Sequence, residues 1–416
     1  MAKHKVYASL EIADREVRLL VYEEFEGRFL VLQSEVVPCK GIEDFRITDQ
    51  KKVVEAIKTA VEKAESALGY HISAVLLAIP SADVNRVSQN VEITIEDGTN
   101  HIRNFHIEQG IKRALEYEPA DNEIFVNVQN ISYKIAGIPW KKSPVGQESK
   151  SFEMDVTLLY ANKEVVFSYV KAVEAAGLKV IDIFIDAYAQ AQQTAAFSHS
   201  NSQAVILVDI QAKHTVLTLI HREKILSSTV LDKGFDYWIK PLRDKYQLKH
   251  SVCERLLNNL FSLSQEKDES IIFVDQNKDE RYEISAKELA GEVVPNVRKW
   301  IADINEKCEP ITSSVKARYI LSGEGASFPI LRDLAPAFSA PVLIYNENIL
   351  GARNGKFITA LGTGYAWMEK AKREKRDEIS VDLNELETSI DSIGIKSETK
   401  GGITARFQRV VRSRKQ

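Results

Sequence analysis

Two carboxylates lie at the ends of apolar runs that are about half a chain apart. Asp209 follows the run at 204–208, and Glu11 follows a similar run that begins at Val6. In both places a short polar turn leads into a second apolar run, which is typical of a buried hairpin. A carboxylate at the end of a buried strand, beside a turn, is a common place for phosphate and Mg²⁺. These two positions are therefore the first candidates for chemistry.

A glycine-containing turn is the next candidate. Ser322-Gly-Glu-Gly-Ala326 follows a predicted strand at 319–321 and precedes a predicted helix from Phe328. Glycine allows a ligand to approach backbone N–H groups closely. The alternative is a tight turn with no ligand, and the pattern alone does not decide between the two.

The elements that must hold these residues repeat along the chain. When Glu11 is aligned with Asp209, apolar residues match through both hairpins, and each hairpin continues into a further strand, at 28–37 and 224–230. This pattern predicts two related halves that face each other across a cleft. The alternative is that any two buried hairpins look alike.

The rest of the pattern divides the chain further. A helix is predicted at 51–68, another at 250–263 and a last packed helix at 357–367. The predicted organisation is a first half at 1–84, an inserted α+β subdomain at 85–163, the first half continued at 164–202, a second half at 203–234, a second insertion at 235–305, the second half and closing helix at 306–368, an acidic flexible linker at 369–401 and a basic amphipathic helix at 402–416.

Composition excludes several classes of protein. The chain has 416 residues, 44% hydrophobic and 27% charged, with a net charge of −4, which fits a soluble multidomain protein and gives no support for nucleic-acid binding. Its three cysteines, Cys39, Cys253 and Cys308, are widely spaced and indicate a reducing cytoplasm rather than a disulfide framework or zinc site. No signal peptide or transmembrane run is expected. HExxH, GxSxG and Walker-A motifs are absent from the sequence.

The end of the chain predicts contact with a membrane surface. On a helix, Ile403, Phe407, Val410 and Val411 form one apolar stripe, while the arginines lie off it, at Arg406, Arg409 and Arg412. A short basic amphipathic helix on an acidic tether suits an anionic membrane surface. The alternatives are a disordered basic tail or a tail that binds RNA.

Together, the paired hairpins, the Ser322–Ala326 turn, the two insertions and the tethered basic helix resemble the FtsA family of bacterial cell-division proteins. The resemblance covers essentially the whole chain. It implies an α/β, actin-like duplicated (ribonuclease H-like) two-lobed fold with two inserted subdomains and a flexible C-terminal tail. It also implies a filament-forming scaffold on the cytoplasmic face of the cell membrane at the division site. Its partners would be the C-terminal tail of the tubulin-like protein FtsZ, further copies of itself and other division proteins.

The family binds ATP with Mg²⁺, and the resemblance transfers that site to particular residues. They are Glu11, Asp209 (which would also hold Mg²⁺ through water), Thr215, Glu254, Gly323, Glu324, Gly325 and Ala326. Lys213 and His214 are added because they could supply positive charge in place of the lost glycines. The phosphate loops depart from the family pattern. The first lacks its glycine and carries Asp14, which places a negative charge beside a polyphosphate. The second has lost its glycines. Glu254 matches a glutamate that in the family lies near the ribose, but Leu257 stands where the family has a lysine three positions later.

Two interpretations of the cleft follow. In one it binds ATP weakly; in the other the site is dead and the fold is kept for polymerisation. Because so many phosphate donors are replaced, the sequence favours weak or absent hydrolysis and a scaffold rather than an enzyme. The alternatives are an active ATPase or kinase of this fold, or a pilus-assembly adaptor like the related protein PilM. A sugar kinase should show a catalytic aspartate near the link between the lobes.

The second insertion is where the family binds the FtsZ tail. An arginine normally follows a Glu-Pro pair on its helix; here Glu292-Val-Val-Pro295 precedes Arg298, which is offset by one position. Arg298 is thus the predicted partner-binding residue, and the alternative is a solvated helix face.

Overall fold

A computed structural model describes residues 5–82, 84–140, 142–277 and 280–382. The predicted membrane-binding residues lie outside this part of the chain: Ile403, Arg406, Phe407, Arg409, Val410, Val411 and Arg412. Within the described residues, no helix is long and apolar enough to cross a membrane.

The first half contains the predicted hairpin, a helix and the first insertion. Its elements up to the insertion are β1 (Lys5–Ile12), β2 (Glu16–Phe25), β3 (Arg28–Pro38), β4 (Ile42–Glu43), β5 (Arg46–Ile47), α1 (Gln50–Leu68) and β6 (Ala74–Ile79). The inserted elements are β7 (Asn85–Thr94), α2 (Asn104–Ala114), β8 (Glu123–Ile135), β9 (Ile138–Trp140) and β10 (Ser151–Asn162). The half ends with α3 (Lys163–Ala175), β11 (Lys179–Ile185), α4 (Asp186–Gln193) and α5 (Ala196–His199).

The second half repeats this plan with a mostly helical insertion. It begins with β12 (Ala204–Ile210), β13 (Thr215–His221), β14 (Lys224–Leu231), α6 (Phe235–Tyr246) and α7 (His250–Leu257). It continues with β15 (Ile271–Asn277), β16 (Glu280–Ser285), α8 (Ala286–Thr312), β17 (Ala317–Ser322), α9 (Leu331–Leu334), β18 (Val342–Ile344) and α10 (Ile358–Glu374).

The two central sheets have the same strand order. The first runs β3-β2-β1-β6-β11 and the second β14-β13-β12-β17-β18. In each, the hairpin strands pair antiparallel, and the first of them pairs parallel with the strand that returns after a crossover. Every residue of β12 is buried, as its unbroken apolar run predicts for a strand covered on both faces. The predicted duplication is confirmed by this topology.

Capping residues define the helix that covers the first sheet. The Asp49 side chain accepts a hydrogen bond from the Lys52 N–H, 3.2 Å away, at the start of α1. Gly69, with φ of 80°, ends the helix in a left-handed conformation that suits glycine. The helix predicted at 51–68 is thus confirmed, whereas the one predicted at 250–263 is too long, since α7 ends at Leu257.

The closing helix α10 packs on the first sheet, where Trp367 is fully buried beside Tyr22 and Leu20. The prediction that a flexible linker begins at residue 369 is wrong for its first part, because α10 continues to Glu374. Arg376 then lies 4.5 Å over the Trp367 ring. The Ser380 hydroxyl accepts the Ala8 N–H at 2.8 Å. Composition did not reveal these specific contacts, and residues 383–401 lie outside the described chain.

Candidate nucleotide cleft

The turns of the two central hairpins are in contact, and a carboxylate of the first turn binds groups of the second. Asp14 accepts a hydrogen bond from the backbone N–H of Lys213 at 2.9 Å, and its other oxygen lies 3.4 Å from His214 Nδ1. Asp44 lies 3.2 Å from His214 Nε2, so the imidazole is held between two carboxylates of the first half. Burial alone would lower the pKa of His214, but the hydrogen bonds and charges of Asp14 and Asp44 outweigh it and raise the pKa.

Arg15 extends from the first turn to the second insertion. Its guanidinium contacts Glu254, lies 3.5 Å from Asp236, and sits 5.2 Å over the ring of Phe235. The ligand atoms of Asp236, His250 and Glu254 lie within 4.8 Å of one another and could in principle hold a metal ion. Arg15 already supplies the positive charge at that position. Glu254, predicted near a ribose, is therefore committed to an ion pair.

Arg18 is buried among three carboxylates from both halves. Its nitrogens lie 2.8 Å from Glu16, 3.3 Å from Glu324 and 3.6 Å from Glu11. Lys356 adds a second cation, 2.9 Å from Glu324 and 3.2 Å from Glu16. Burial alone would lower the pKa of Arg18, but the three carboxylates outweigh it and raise the pKa above its usual value. Glu324, predicted to face a nucleotide, is thus neutralised by the protein itself.

Three acids gather at the carboxyl ends of β1, β11 and β12. They are Glu11, Asp186 and Asp209, all at least nine-tenths buried. Asp209 accepts a hydrogen bond from the Gln211 side chain at 2.6 Å, and Asp186 accepts the Ser81 N–H at 2.9 Å. Burial raises the pKa of Glu11 and of Asp186 to about 7, and it raises the pKa of Asp209. Carboxylate oxygens suit Mg²⁺, so this group could hold the ion.

The glycines of the 322–326 turn are explained by packing on β12. Gly323 has φ of 80°, and a Cβ there would lie 2.2 Å from Asp209 Oδ1. A Cβ on Gly325 would lie 2.3 Å from a side-chain carbon of Ile210. Ala326 is buried as well. The turn is therefore close to Asp209, but its glycines are needed whether or not a ligand binds.

The remaining predicted site residues either form hydrogen bonds within the protein or are exposed. The Thr215 hydroxyl donates to the carbonyl oxygen of Lys233 at 2.7 Å and accepts from Trp300 Nε1 at 3.0 Å, so its one hydrogen is used within the second half. The Lys213 side chain is exposed at the cleft. Arg298 is exposed on α8. Polyphosphate therefore fits this cleft poorly, although the buried acids fit a cation.

Sequence reasoning missed Arg15, Arg18, Asp186 and Lys356. The alternating charges of Asp14-Arg15-Glu16 beside a buried carboxylate were a signal for internal ion pairs. Asp186 directly follows β11, much as Glu11 and Asp209 follow their apolar runs, and could have been found by the same rule.

Protonation of Glu11 gives a testable pH dependence. Its pKa rises from 4.5 to about 7 on folding, so its stabilising contribution is complete below pH 4.5 and is lost as pH rises through 7. Glu11→Gln removes this loss, and we expect the variant to gain on the wild type between pH 5 and pH 8 by on the order of 3 kcal/mol of unfolding free energy. Urea titrations at both pH values measure it. The exposed Glu62→Gln is the control, and equal gains in both variants would contradict the expectation.

Comparison with known proteins gives a consistent picture. No family model matches the chain. Cell division protein FtsA of Bacillus subtilis (strain 168) is 19% identical over 367 residues, covering 87% of this chain and 83% of the relative. Cell division protein FtsA of Enterococcus hirae is 23% identical over 371 residues, with the same coverage of 87% and 83%.

A solved structure, the PilM-PilN type IV pilus biogenesis complex, shares the fold. Its matching chain is 14% identical, covers 86% of this chain and 98% of its own length, and superposes with a TM-score of 0.53. Together with the repeated strand order, this likeness confirms the predicted actin-like, duplicated two-lobed α/β fold. The predicted resemblance to FtsA is confirmed by the names of the curated relatives.

Proposed function

We propose that this protein is an actin-like cell-division scaffold that polymerises on the cytoplasmic face of the cell membrane and anchors FtsZ at the septum. The observation that carries the proposal is the similarity to proteins named Cell division protein FtsA over 86–87% of the chain. The insertion at 235–305 would bind the FtsZ tail, and the helix at 402–416 would bind the membrane.

The cleft supports the scaffold role over ATP turnover. Hydrolysis needs donors placed in advance around the phosphates. Here the Lys213 N–H is used by Asp14, and the Thr215 hydroxyl is used by Lys233. Calorimetry with ATP and Mg²⁺, with Asp209→Ala as the control, should show no heat at millimolar ATP. Micromolar binding that is lost in the control would overturn this part of the proposal.

An active ATPase is the second candidate, because Glu11, Asp186 and Asp209 form an acidic group that suits Mg²⁺. The same titration separates it from the scaffold. A phosphate-release assay adds a direct test, since a working ATPase must release phosphate in the wild type and lose it in Asp186→Asn.

Partner binding is tested at α8. Arg298 is exposed, and so is its neighbour Lys299, which gives a control of the same charge on the same helix. We expect Arg298→Glu to weaken binding of an FtsZ tail peptide at least tenfold in fluorescence anisotropy, whereas Lys299→Glu changes it little. Equal effects would indicate a general charge contribution, and no binding by the wild type would remove FtsZ as the partner.

Membrane binding is tested by sedimentation with anionic vesicles. The full chain should sediment with them, and a chain that ends at residue 382 should stay in the supernatant. Co-sedimentation of both would place membrane contact elsewhere. No co-sedimentation of either would favour a pilus-assembly adaptor like PilM.

A further inference from the structure

The two halves touch across the cleft through charges of opposite sign. From the first half come Asp14, Arg15 and Arg18; from the second come the Lys213 N–H, His214, Glu254 and Glu324. We propose that these groups form an intramolecular latch that keeps the halves closed without a nucleotide, with the Asp14 carboxylate in the place of a phosphate. This inference goes beyond the proposed function, because it holds whatever the closed form binds.

Asp14 occupies a position in the second turn that suits an anion. A backbone N–H in a tight turn after a buried strand is a natural donor to an anion. The turn of the second half offers the Lys213 N–H in this way, and the acceptor is a carboxylate from the facing turn, 2.9 Å away. Asp14 and His214 are both more than nine-tenths buried, so water and salt screen their pairing weakly. An external phosphate would have to displace this carboxylate.

Arg15 and Arg18 form the other contacts of the latch. Glu254 lies on α7 of the second insertion, and Glu324 lies in the turn after β17, so the two arginines hold two separate elements of the opposite half. Arg15 also lies 3.9 Å from Glu324, which joins the two contacts. Each arginine contact thus links the first hairpin to the opposite half, and no ligand is needed to bridge them.

The latch predicts a closed protein whose shape is insensitive to ATP. Spin labels at Lys58→Cys on α1 and Glu306→Cys on α8 report the distance between the halves, and the three native cysteines are buried away from the reagent. Electron paramagnetic resonance should give one narrow distance distribution, unchanged by millimolar Mg-ATP. A broad distribution that narrows only with ATP would overturn the proposal.

Charge reversal tests the arginine contact directly. Arg15→Glu should broaden or lengthen the distance distribution, and combining it with Glu254→Arg should restore the narrow one. Restoration separates a latch from general damage to the fold. Arg28→Glu, at an exposed position of β3, should have no effect. If Arg15→Glu leaves the distribution narrow, or if the double variant stays as broad as the single one, the latch is wrong.

Tripolyphosphate binding tests whether the Asp14 carboxylate takes the place of a phosphate. Tripolyphosphate should give no heat with the wild type, and Asp14→Gly should bind it measurably, because the variant frees the Lys213 N–H and leaves His214 beside it. Asp44→Asn, which removes the outer partner of His214 only, should not bind it. Tripolyphosphate binding by the wild type, or none by Asp14→Gly, would contradict the substitution of a carboxylate for a phosphate.

Discussion

Replacing Arg18 by methionine is expected to lower the free energy of unfolding by about 3–5 kcal/mol. The side chain is only 8% exposed, and it is the shared partner of Glu11, Glu16 and Glu324. Methionine fills much of the same volume, so the loss comes from the carboxylates that are left without their cation. Lys356 compensates in part, because it still pairs with Glu16 and Glu324. Urea unfolding at pH 8, where the carboxylates are ionised, measures the effect.

The matched control is Arg28→Met, which removes an exposed arginine from β3 and should change stability by less than about 0.5 kcal/mol. Glu324→Gln in the Arg18→Met background should recover part of the loss, because it removes one of the unpaired charges. A small effect of Arg18→Met, close to that of the control, would mean that the buried cluster is open to water and would weaken the case for the latch as well.

The fold was predictable from sequence because its central elements are marked locally. An unbroken apolar run marks β12, and a run interrupted only by Ser9 marks β1; an acid follows each run near the end of its strand. The position of Glu11 and Asp209 in one cleft follows from this pattern. The packing of residues 376–381 was not predictable, because it depends on one arginine meeting Trp367 and on one hydroxyl meeting the Ala8 N–H.

The partners within the cleft were not predictable for a related reason. Arg15 and Glu254 are 239 positions apart, and Asp14 and His214 are 200 apart. The sequence shows that Asp14 is unfavourable beside a polyphosphate, but it does not show which donor receives the carboxylate instead. That depends on how the two halves are oriented. The departure from the family pattern is therefore visible in the sequence, whereas the contacts that replace the lost glycines are visible only in the structure.

The second large effect is expected at the crossing of α4 and α10. Gly362 on α10 lies so close to α4 that a Cβ would be 1.8 Å from the carbonyl oxygen of Ala189. Backbone on both sides leaves no flexible side chain to move, so Gly362→Ala must separate the helices. We expect a loss of about 3 kcal/mol or more in unfolding free energy. Hydrogen exchange should accelerate first in the amides of α4 and α10, because the clash lies between these two helices. The first sheet should follow, since Trp367 of α10 covers it.

Gly291→Ala is the matched control, since Gly291 is an exposed residue of α8 with open space around the added Cβ. There alanine should stabilise the helix by about 0.5–1 kcal/mol, because it restricts the unfolded chain without a clash. Opposite signs at two helical glycines would show that contact with α4, and not helix propensity, governs Gly362. If exchange stays slow in α4 and α10 of Gly362→Ala, the two helices can move apart without losing their own hydrogen bonds. The closing helix would then contribute less to the stability of the first half than its packing indicates.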